Sequence, residues 1–175
     1  MPCPIDDNSS DAFIYNNILN PLSKHICFIH PNYVTITNMI IIIPLVYGIL
    51  YKWSFPTFIT LIFVRAVLDC LDGSIARTCK TTSELGALLD RLGDSLALLS
   101  IATSLVYLIY LKYGKKSYMY IILFMLFVLS NVMYVNYKLD NKEKLTGIYK
   151  CFHDNYIVFN VAFGSLLWGF IHSYL

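Results

Sequence analysis

Residues 69–94 read DCLDGSIARTCKTTSELGALLDRLGD, and the predicted fold and site depend mainly on this stretch. The first two of its aspartates are three residues apart and the last two are four apart, so each pair shares one helix face. Two antiparallel helices joined by a short loop would bring both pairs together near one end. A carboxylate in an apolar segment is costly, so four of them indicate a functional site. The four aspartates are Asp69, Asp72, Asp90 and Asp94.

The composition places these aspartates in a membrane protein. Of the 175 residues, 57% are hydrophobic and only 14% are charged, and the mean hydropathy is +0.60. A soluble domain of this size leaves much of its surface in water and cannot hide so much apolar area. These values exclude a soluble domain and a disordered chain, and a net charge of +2 is too small for a nucleic-acid binder.

Five apolar stretches are long enough to cross a hydrocarbon core of about 30 Å. An amphipathic segment over residues 11–28 precedes them, and we expect it to lie on the membrane surface with a break near Pro21. The sequence shows no internal repeat and no linker, so residues 1–175 are expected to form one all-α membrane domain. The five predicted spans are Tyr33–Tyr51, Phe55–Ala76, Glu84–Leu111, Ser117–Tyr137 and Asn155–Tyr174.

The basic residues near the ends of these spans predict an orientation. Seven lie on the side of the N-terminal segment and four on the opposite side, which places the N-terminus and the aspartates on the cytosolic side. The expected membrane is the endoplasmic reticulum in a eukaryotic host and the inner membrane in a bacterial one. The seven are Lys24, Arg77, Lys80, Lys138, Lys142, Lys144 and Lys150, and the four are Lys52, Lys112, Lys115 and Lys116.

The cysteines are odd in number and show no CxxC spacing. This pattern argues against a disulfide framework and against a thiolate metal site. We therefore interpret them as small hydrophobic residues scattered through the fold. The five cysteines are Cys3, Cys27, Cys70, Cys79 and Cys151.

The paired aspartates favour a hard divalent cation. Mg²⁺ and Mn²⁺ prefer oxygen ligands, whereas the absence of suitably spaced histidine or cysteine ligands disfavours zinc. Two such cations can clamp a diphosphate and stabilise a leaving phosphate. Arg77 lies just beyond the first acidic pair, where its guanidinium suits a phosphate or a carboxylate. The residues thus indicate metal-dependent chemistry on a diphosphate-bearing substrate at the bilayer surface.

The spacing DxxDGxxAR-x8-GxxxDxxxD resembles the signature of the CDP-alcohol phosphotransferase family. That family includes phosphatidylinositol, phosphatidylglycerophosphate and phosphatidylserine synthases and the choline/ethanolamine phosphotransferases. The preceding Pro31-Asn32-x-x-Thr35 is similar to the family's lead-in to its first spanning helix. The resemblance covers residues 30–100 well and the rest only as a hydrophobic pattern. The family usually has six spanning helices, and this sequence shows five.

The resemblance implies a role for each aspartate. Asp69, Asp72 and Asp90 would bind a pair of divalent cations, Mg²⁺ or Mn²⁺, with Asp94 at or near the same cluster. Those cations would hold the diphosphate of a CDP-linked lipid donor. Asp94 would be the general base that takes the proton of the attacking alcohol, and CMP would leave.

The resemblance also implies a nucleotide site. Gly73, Ala76 and Gly86 would leave room for the cytidine nucleotide, and Arg77 would hold this region or the nucleotide's phosphates. Homodimerisation is an expectation from the family alone. The expected partners are a CDP-linked donor, an alcohol acceptor and membrane lipids, without nucleic acid.

Three polar residues near the signature keep alternatives open. Arg65 lies one turn before Asp69 and either reaches the acidic cluster or pairs with Asp69. Arg91 is interpreted as structural, in a pair across helices. Asn38 either faces the nucleotide site or bonds a neighbouring helix.

The acceptor also stays open. Ser117–Tyr137 and Asn155–Leu175 contain no lysine or arginine, which favours an uncharged acceptor such as inositol over glycerol 3-phosphate. The lead-in Thr82-Ser83-x-Leu85-Gly86 is somewhat similar to the choline/ethanolamine branch, which acts on diacylglycerol.

Three other classes of function use buried acids. An ion pathway is one, an aspartate- and Mg²⁺-dependent prenyltransferase is another, and a degenerate, non-catalytic family member is the third. The glycines and the DG-x-x-AR continuation argue against the first two, and the complete signature argues against the third.

Overall fold

A computed structural model describes residues 12–114 and 156–175, together with Tyr118, Ile122, Leu126 and Leu129. All of the secondary structure in these described residues is helical, which confirms the predicted all-α class. Four helices match predicted spans to within a few residues at each end. The fourth predicted span, Ser117–Tyr137, lies outside the described residues except for the four helical positions just named. The helices are α3 (Pro31–Leu50), α4 (Phe55–Thr78), α5 (Glu84–Tyr113) and α6 (Tyr156–Tyr174).

Helix length and composition support a membrane bundle. Among the described helices, α3, α5 and α6 are long and apolar enough to cross a membrane. Helix α4 has 24 residues, also enough to cross, but it carries four charged side chains. It packs against α3 and α6, and α3 packs against α5, so α3 and α4 form the middle of the arrangement among the described helices.

Short capping motifs fix where the site-bearing helices begin. Pro31 occupies the first turn of α3, where its missing N–H is tolerated, and the His30 side chain accepts a hydrogen bond from the Asn32 N–H. Ser83 caps α5 through its hydroxyl oxygen, which accepts from the Gly86 N–H at 3.0 Å. These caps set the register of the polar residues that follow on each helix.

The N-terminal helical segment comprises α1 (Ala12–Ile14), a π-helical turn (Tyr15–Leu19) and α2 (Asn20–His25). The predicted amphipathic helix is therefore present, but the predicted break near Pro21 is wrong. Pro21 lies just after the π-helical turn, so the N–H bond that proline lacks falls where the helix changes its hydrogen-bonding pattern, and the helix continues.

This segment is attached to α4 by a small polar network. Ser23 is fully buried, and its hydroxyl donates to the Ser74 hydroxyl at 2.9 Å. Ser74 in turn donates to the side-chain oxygen of Asn20 at 2.9 Å. Because buried hydroxyls are costly without partners, this network favours one docking position for the segment.

Two hydrophobic clusters stabilise opposite ends of the bundle. Burial of apolar side chains is the main favourable contribution to each. The far-end cluster contains Leu45, Ile49, Phe58, Ile62, Leu105, Leu108, Leu167 and Ile171. The site-end cluster contains Leu19, Val34, Ala66, Cys70, Leu71, Ile75 and Ile157.

A disulfide joins Cys27 to Cys79, with the two Cα atoms 5.6 Å apart. The expectation of unpaired cysteines is therefore wrong for this pair. Cys27 follows α2 and Cys79 follows α4, so docking of the N-terminal segment brings them together. Their separation of 52 residues gives no local spacing signal in the sequence. Cys70 is buried in the site-end cluster, as predicted, and Cys3 and Cys151 lie outside the described residues.

Candidate active site

Three of the four signature aspartates converge at the site end of the bundle. Asp69 on α4 and Asp90 and Asp94 on α5 each offer one carboxylate oxygen, and these oxygens all lie within 4.8 Å of one another. The antiparallel arrangement of α4 and α5 produces this meeting, as the sequence predicts. Asp72 lies one turn from Asp69 on α4 but does not belong to this group of three.

Helix α3 supplies polar partners for both aspartates of α4. The Thr35 hydroxyl donates to Asp72 at 2.6 Å, and the Asn38 amide donates to Asp69 at 2.7 Å. Thr35 and Asn38 are both buried and lie three residues apart, on one face of α3. Of the two alternatives for Asn38, the structure therefore shows the bond to a neighbouring helix.

Arg65 reaches the acidic cluster through the second helix rather than by pairing within α4. Its Nη2 lies 2.9 Å from Oδ1 of Asp94, in an ion pair between α4 and α5. Its Nη1 donates to the hydroxyl oxygen of Tyr156, the first residue of α6, at 3.2 Å. Arg65 thus connects three helices at the cluster.

Arg77 lies over Gly73, one turn earlier on α4. A Cβ atom at Gly73 would be 3.2 Å from Nη1 of Arg77, so a larger residue would displace the guanidinium. The Arg77 guanidinium carbon also lies 5.8 Å from the ring centre of Tyr15, within the range of a cation–π contact. Burial raises the pKa of the Tyr15 phenol, so the ring remains neutral. Arg77 itself is exposed and can meet a ligand.

The other small signature residues lie close to the same end of the bundle. A Cβ atom at Gly86 would be 3.0 Å from the Ser83 hydroxyl oxygen and 3.1 Å from the Asn32 side-chain oxygen. A side chain there would crowd the start of α5 against the start of α3. Ala76 is half-buried, and its carbonyl oxygen accepts from the Thr81 N–H at 3.0 Å. Nucleotide binding by these residues stays a prediction.

Arg91 is half-buried, and its Nε donates to the Ala87 carbonyl oxygen one turn earlier on α5, at 3.3 Å. This contact lies within its own helix and agrees with a structural role. The predicted pairing of Arg91 across helices stays a prediction.

The donor set suits a hard divalent cation. The three converging ligands are carboxylates, and such oxygen ligands are those that Mg²⁺ and Mn²⁺ prefer. Beside them, the buried side-chain oxygen of Asn38 has no hydrogen-bond partner among the residues that the structure describes, although its amide nitrogen bonds Asp69. A buried acceptor left over beside three acidic oxygens is consistent with a positive charge at this position.

Sequence reasoning did not identify Tyr156 as part of the site. Tyr156 is the second residue of the predicted span Asn155–Tyr174 and belongs to no motif. One signal was available: the predicted orientation places the start of that span on the same side as the signature. The hydroxyl of Tyr156 indeed lies near Asp94, at 3.4 Å.

A bundle of membrane-spanning helices with a carboxylate cluster at one end defines a membrane-embedded protein with a candidate metal centre. The family model for CDP-alcohol phosphatidyltransferases matches residues 28–171, and the chain belongs to this family. The predicted family is therefore confirmed over most of the chain. Family members transfer a phosphatidyl-type group from a CDP-alcohol to an acceptor hydroxyl. Comparisons with curated proteins and with solved structures gave no match.

Proposed function

We propose that this chain transfers the phosphatidyl group of CDP-diacylglycerol to the hydroxyl of a small uncharged alcohol, with inositol as the leading candidate, and releases CMP. The site would face the cytosol, in accord with the excess of basic residues at that end. The reaction would require Mg²⁺ or Mn²⁺, with two ions expected from the family resemblance.

The observation that carries this proposal is the meeting of Asp69, Asp90 and Asp94. Their oxygens lie within 4.8 Å of one another even though they come from two helices and span 26 residues of the signature. Asp69 and Asp90 would hold the cation, with Asp72 one turn away and bonded to Thr35, and Asp94 would lie at the edge of the same cluster as the base. Bound there, a divalent cation would supply positive charge to the diphosphate of the donor.

The residues of the chain would then divide the chemistry. Asp94 has a side chain that is 49% exposed, which allows an acceptor alcohol to approach it. As general base it would take the hydroxyl proton while the alcohol oxygen forms a bond to phosphorus and the bond from phosphorus to CMP breaks. Arg77, exposed beside Gly73, would bind phosphate oxygens of the nucleotide.

An uncharged acceptor is favoured by the composition of the last helix. Helix α6 contains no lysine or arginine, and its first residue, Tyr156, offers a hydroxyl at the cluster. The basic residue of the described site that lies closest to Asp94 is Arg65, and its guanidinium is already bonded to Asp94 and Tyr156. A phosphorylated acceptor would need cations that these residues do not supply.

The test is CMP release by the purified chain in lipid nanodiscs. CDP-diacylglycerol would be supplied with Mn²⁺ or Mg²⁺, and inositol, serine, glycerol and glycerol 3-phosphate would be tested separately. We expect CMP release with inositol. Release only from CDP-choline or CDP-ethanolamine with diacylglycerol would replace the proposal with the other branch. No release in any arm, from protein shown to be folded, would indicate a non-catalytic member.

Chelation tests the metal requirement in the same assay. EDTA should abolish CMP release, and an excess of Mn²⁺ or Mg²⁺ should restore it. The same EDTA concentration saturated with Ca²⁺ before addition controls for effects on the lipid. Activity that survives exhaustive chelation would contradict a metal-dependent site.

A further inference from the structure

A tyrosine from the last helix completes the surroundings of Asp94. The hydroxyl of Tyr156 lies 3.2 Å from Nη1 of Arg65 and 3.4 Å from Oδ1 of Asp94. Arg65 bonds the same Oδ1 through its other terminal nitrogen, at 2.9 Å. The three groups form one closed set of contacts across α4, α5 and α6. The signature contains only one of the three residues.

We infer that Arg65 and Tyr156 are positioning residues that hold the Asp94 carboxylate in the orientation needed to receive the acceptor's proton. This inference rests on the proposed function. Both contacts end on Oδ1, so the second oxygen, Oδ2, is the one that the pair leaves for the acceptor hydroxyl.

The burial of the three groups supports a positioning role. The Arg65 side chain is only 9% exposed, whereas that of Asp94 is 49% exposed. An arginine that is already packed loses little further freedom when it bonds, so Arg65 can fix the orientation of the exposed Asp94 carboxylate. The planar guanidinium places its two terminal nitrogens in a fixed relation, so Tyr156 on one side restrains the bond to Asp94 on the other.

Helix α6 is anchored in a way that makes Tyr156 a rigid partner. Ile157, the next residue, is buried in the site-end cluster against α3 and α4 side chains. At the far end, the Trp168 indole donates to the Trp53 carbonyl oxygen at 2.9 Å. Because α6 packs along α4 and is attached near both of its ends, the Tyr156 hydroxyl has a defined position beside Arg65.

The substitution Tyr156→Phe tests this inference because it removes only the hydroxyl. We expect kcat for CMP release to fall about 10-fold, the size typical for loss of a supporting bond to a site residue, while the KM for CDP-diacylglycerol is unchanged. Tyr174→Phe is the matched control, since Tyr174 lies at the exposed far end of the same helix. That control should keep kcat within about twofold of wild type.

Binding of Mn²⁺, followed by the loss of its free electron paramagnetic resonance signal, gives a readout that does not require turnover. We expect Tyr156→Phe to bind Mn²⁺ as wild type does, because the hydroxyl positions Asp94 without forming the cluster. A fall in Mn²⁺ affinity equal to the fall in kcat would overturn the inference in favour of a structural role. Unchanged kcat in Tyr156→Phe would overturn it as well.

Combining Tyr156→Phe with Arg65→Lys tests whether the two residues act together. Lysine keeps the charge but cannot bond both partners in the same geometry. We expect the double variant to be no slower than the slower single variant, because both substitutions break one connected set of contacts. Additive losses would contradict a joint role. A wild-type chain that releases no CMP would instead overturn the proposed function.

Discussion

The two helices that form the acidic site hold their aspartates in different ways. On α4, Asp69 and Asp72 each receive a hydrogen bond from a buried, neutral side chain of α3. On α5, Asp94 is half exposed, and its partners are the cation Arg65 and the phenol of Tyr156. The aspartates of α4 are therefore bonded from inside the bundle, whereas Asp94 on α5 is exposed.

This difference suggests that some of the aspartates bind the cation and another reacts with the substrate. Carboxylates fixed by short bonds to a neighbouring helix are suited to present oxygens to a cation in a constant geometry. A carboxylate that is half exposed is suited to meet a substrate that enters and leaves. The comparison favours cation binding by the braced Asp69 and Asp72 together with Asp90, and proton transfer by the exposed Asp94, and three variants can break or sharpen it.

The largest effect is expected at Asp94. Replacing it with asparagine keeps the shape of the side chain but removes its ability to take a proton, so CMP release should fall about 10²–10⁴-fold. Initial rates at saturating donor and acceptor measure this. Glu84→Gln is the matched control, since Glu84 is an exposed acid in the first turn of the same helix. Its rate should equal that of wild type.

An Asp94→Asn variant with wild-type rates would remove Asp94 from the role of general base. It would also erase the proposed difference between Asp94 and the aspartates of α4. A folded Asp94→Asn variant that inserts normally into the membrane and shows no turnover would support the role of Asp94 as general base.

A smaller effect on CMP release is expected when the hydrogen bond from Thr35 on α3 to Asp72 on α4 is removed. Thr35→Val preserves volume but leaves the buried Asp72 carboxylate without its 2.6 Å hydrogen bond. We expect the Mn²⁺ concentration for half-maximal rate to rise about 10- to 100-fold, because supporting bonds orient metal ligands. At saturating Mn²⁺ the rate should recover, since the proton-accepting group on α5 is intact.

Thr37→Val provides the comparison for Thr35→Val. Thr37 is exposed on the same helix, and its hydroxyl donates only to the Tyr33 carbonyl oxygen one turn earlier among its described bonds. Its metal dependence should match wild type. If Thr35→Val lowers the rate at saturating Mn²⁺ and leaves the metal dependence unchanged, the assignment of cation binding to the braced aspartates of α4 is wrong.

The main features of the site were open to prediction because they depend on local spacing. The i, i+3 and i, i+4 separations of the aspartates fix helix faces, and the short loop between α4 and α5 keeps those faces at the same end of the bundle, where Asp69, Asp90 and Asp94 meet. The family match over residues 28–171 confirms that this signature was correctly recognised.

What escaped prediction depends on long-range contacts. The pairing of Arg65 with Asp94 rather than Asp69 depends on how α4 and α5 are each placed against α3, and no sequence period determines that placement. Tyr156 is separated from Arg65 by 91 residues. The Cys27–Cys79 bond likewise depends on where the N-terminal segment docks, which a buried serine network decides.

The smallest effect on turnover is expected at this disulfide, although it braces the same helix as Thr35 does. Cys27→Ser with Cys79→Ser should keep CMP release within about twofold of wild type, because neither cysteine belongs to the acidic cluster. The docked segment should become easier to cleave with protease, because the bond closes a loop of 52 residues and restricts the opened state. Limited proteolysis in nanodiscs measures this.

The same two cysteines provide a test of which side of the membrane the site faces. The excess of basic residues predicts the cytosolic side, whereas disulfides persist mainly in oxidising compartments. Alkylation of the denatured chain before and after reduction should add two further alkyl groups after reduction, as seen by mass spectrometry. Two results together would show that the site faces the opposite side. The Cys27–Cys79 bond would be oxidised in cells, and the N-terminal segment of the double serine variant would resist protease added from the cytosolic side. If the bond is oxidised and the protease does cut the segment from the cytosolic side, docking of the N-terminal segment shields the bond from cellular reductants.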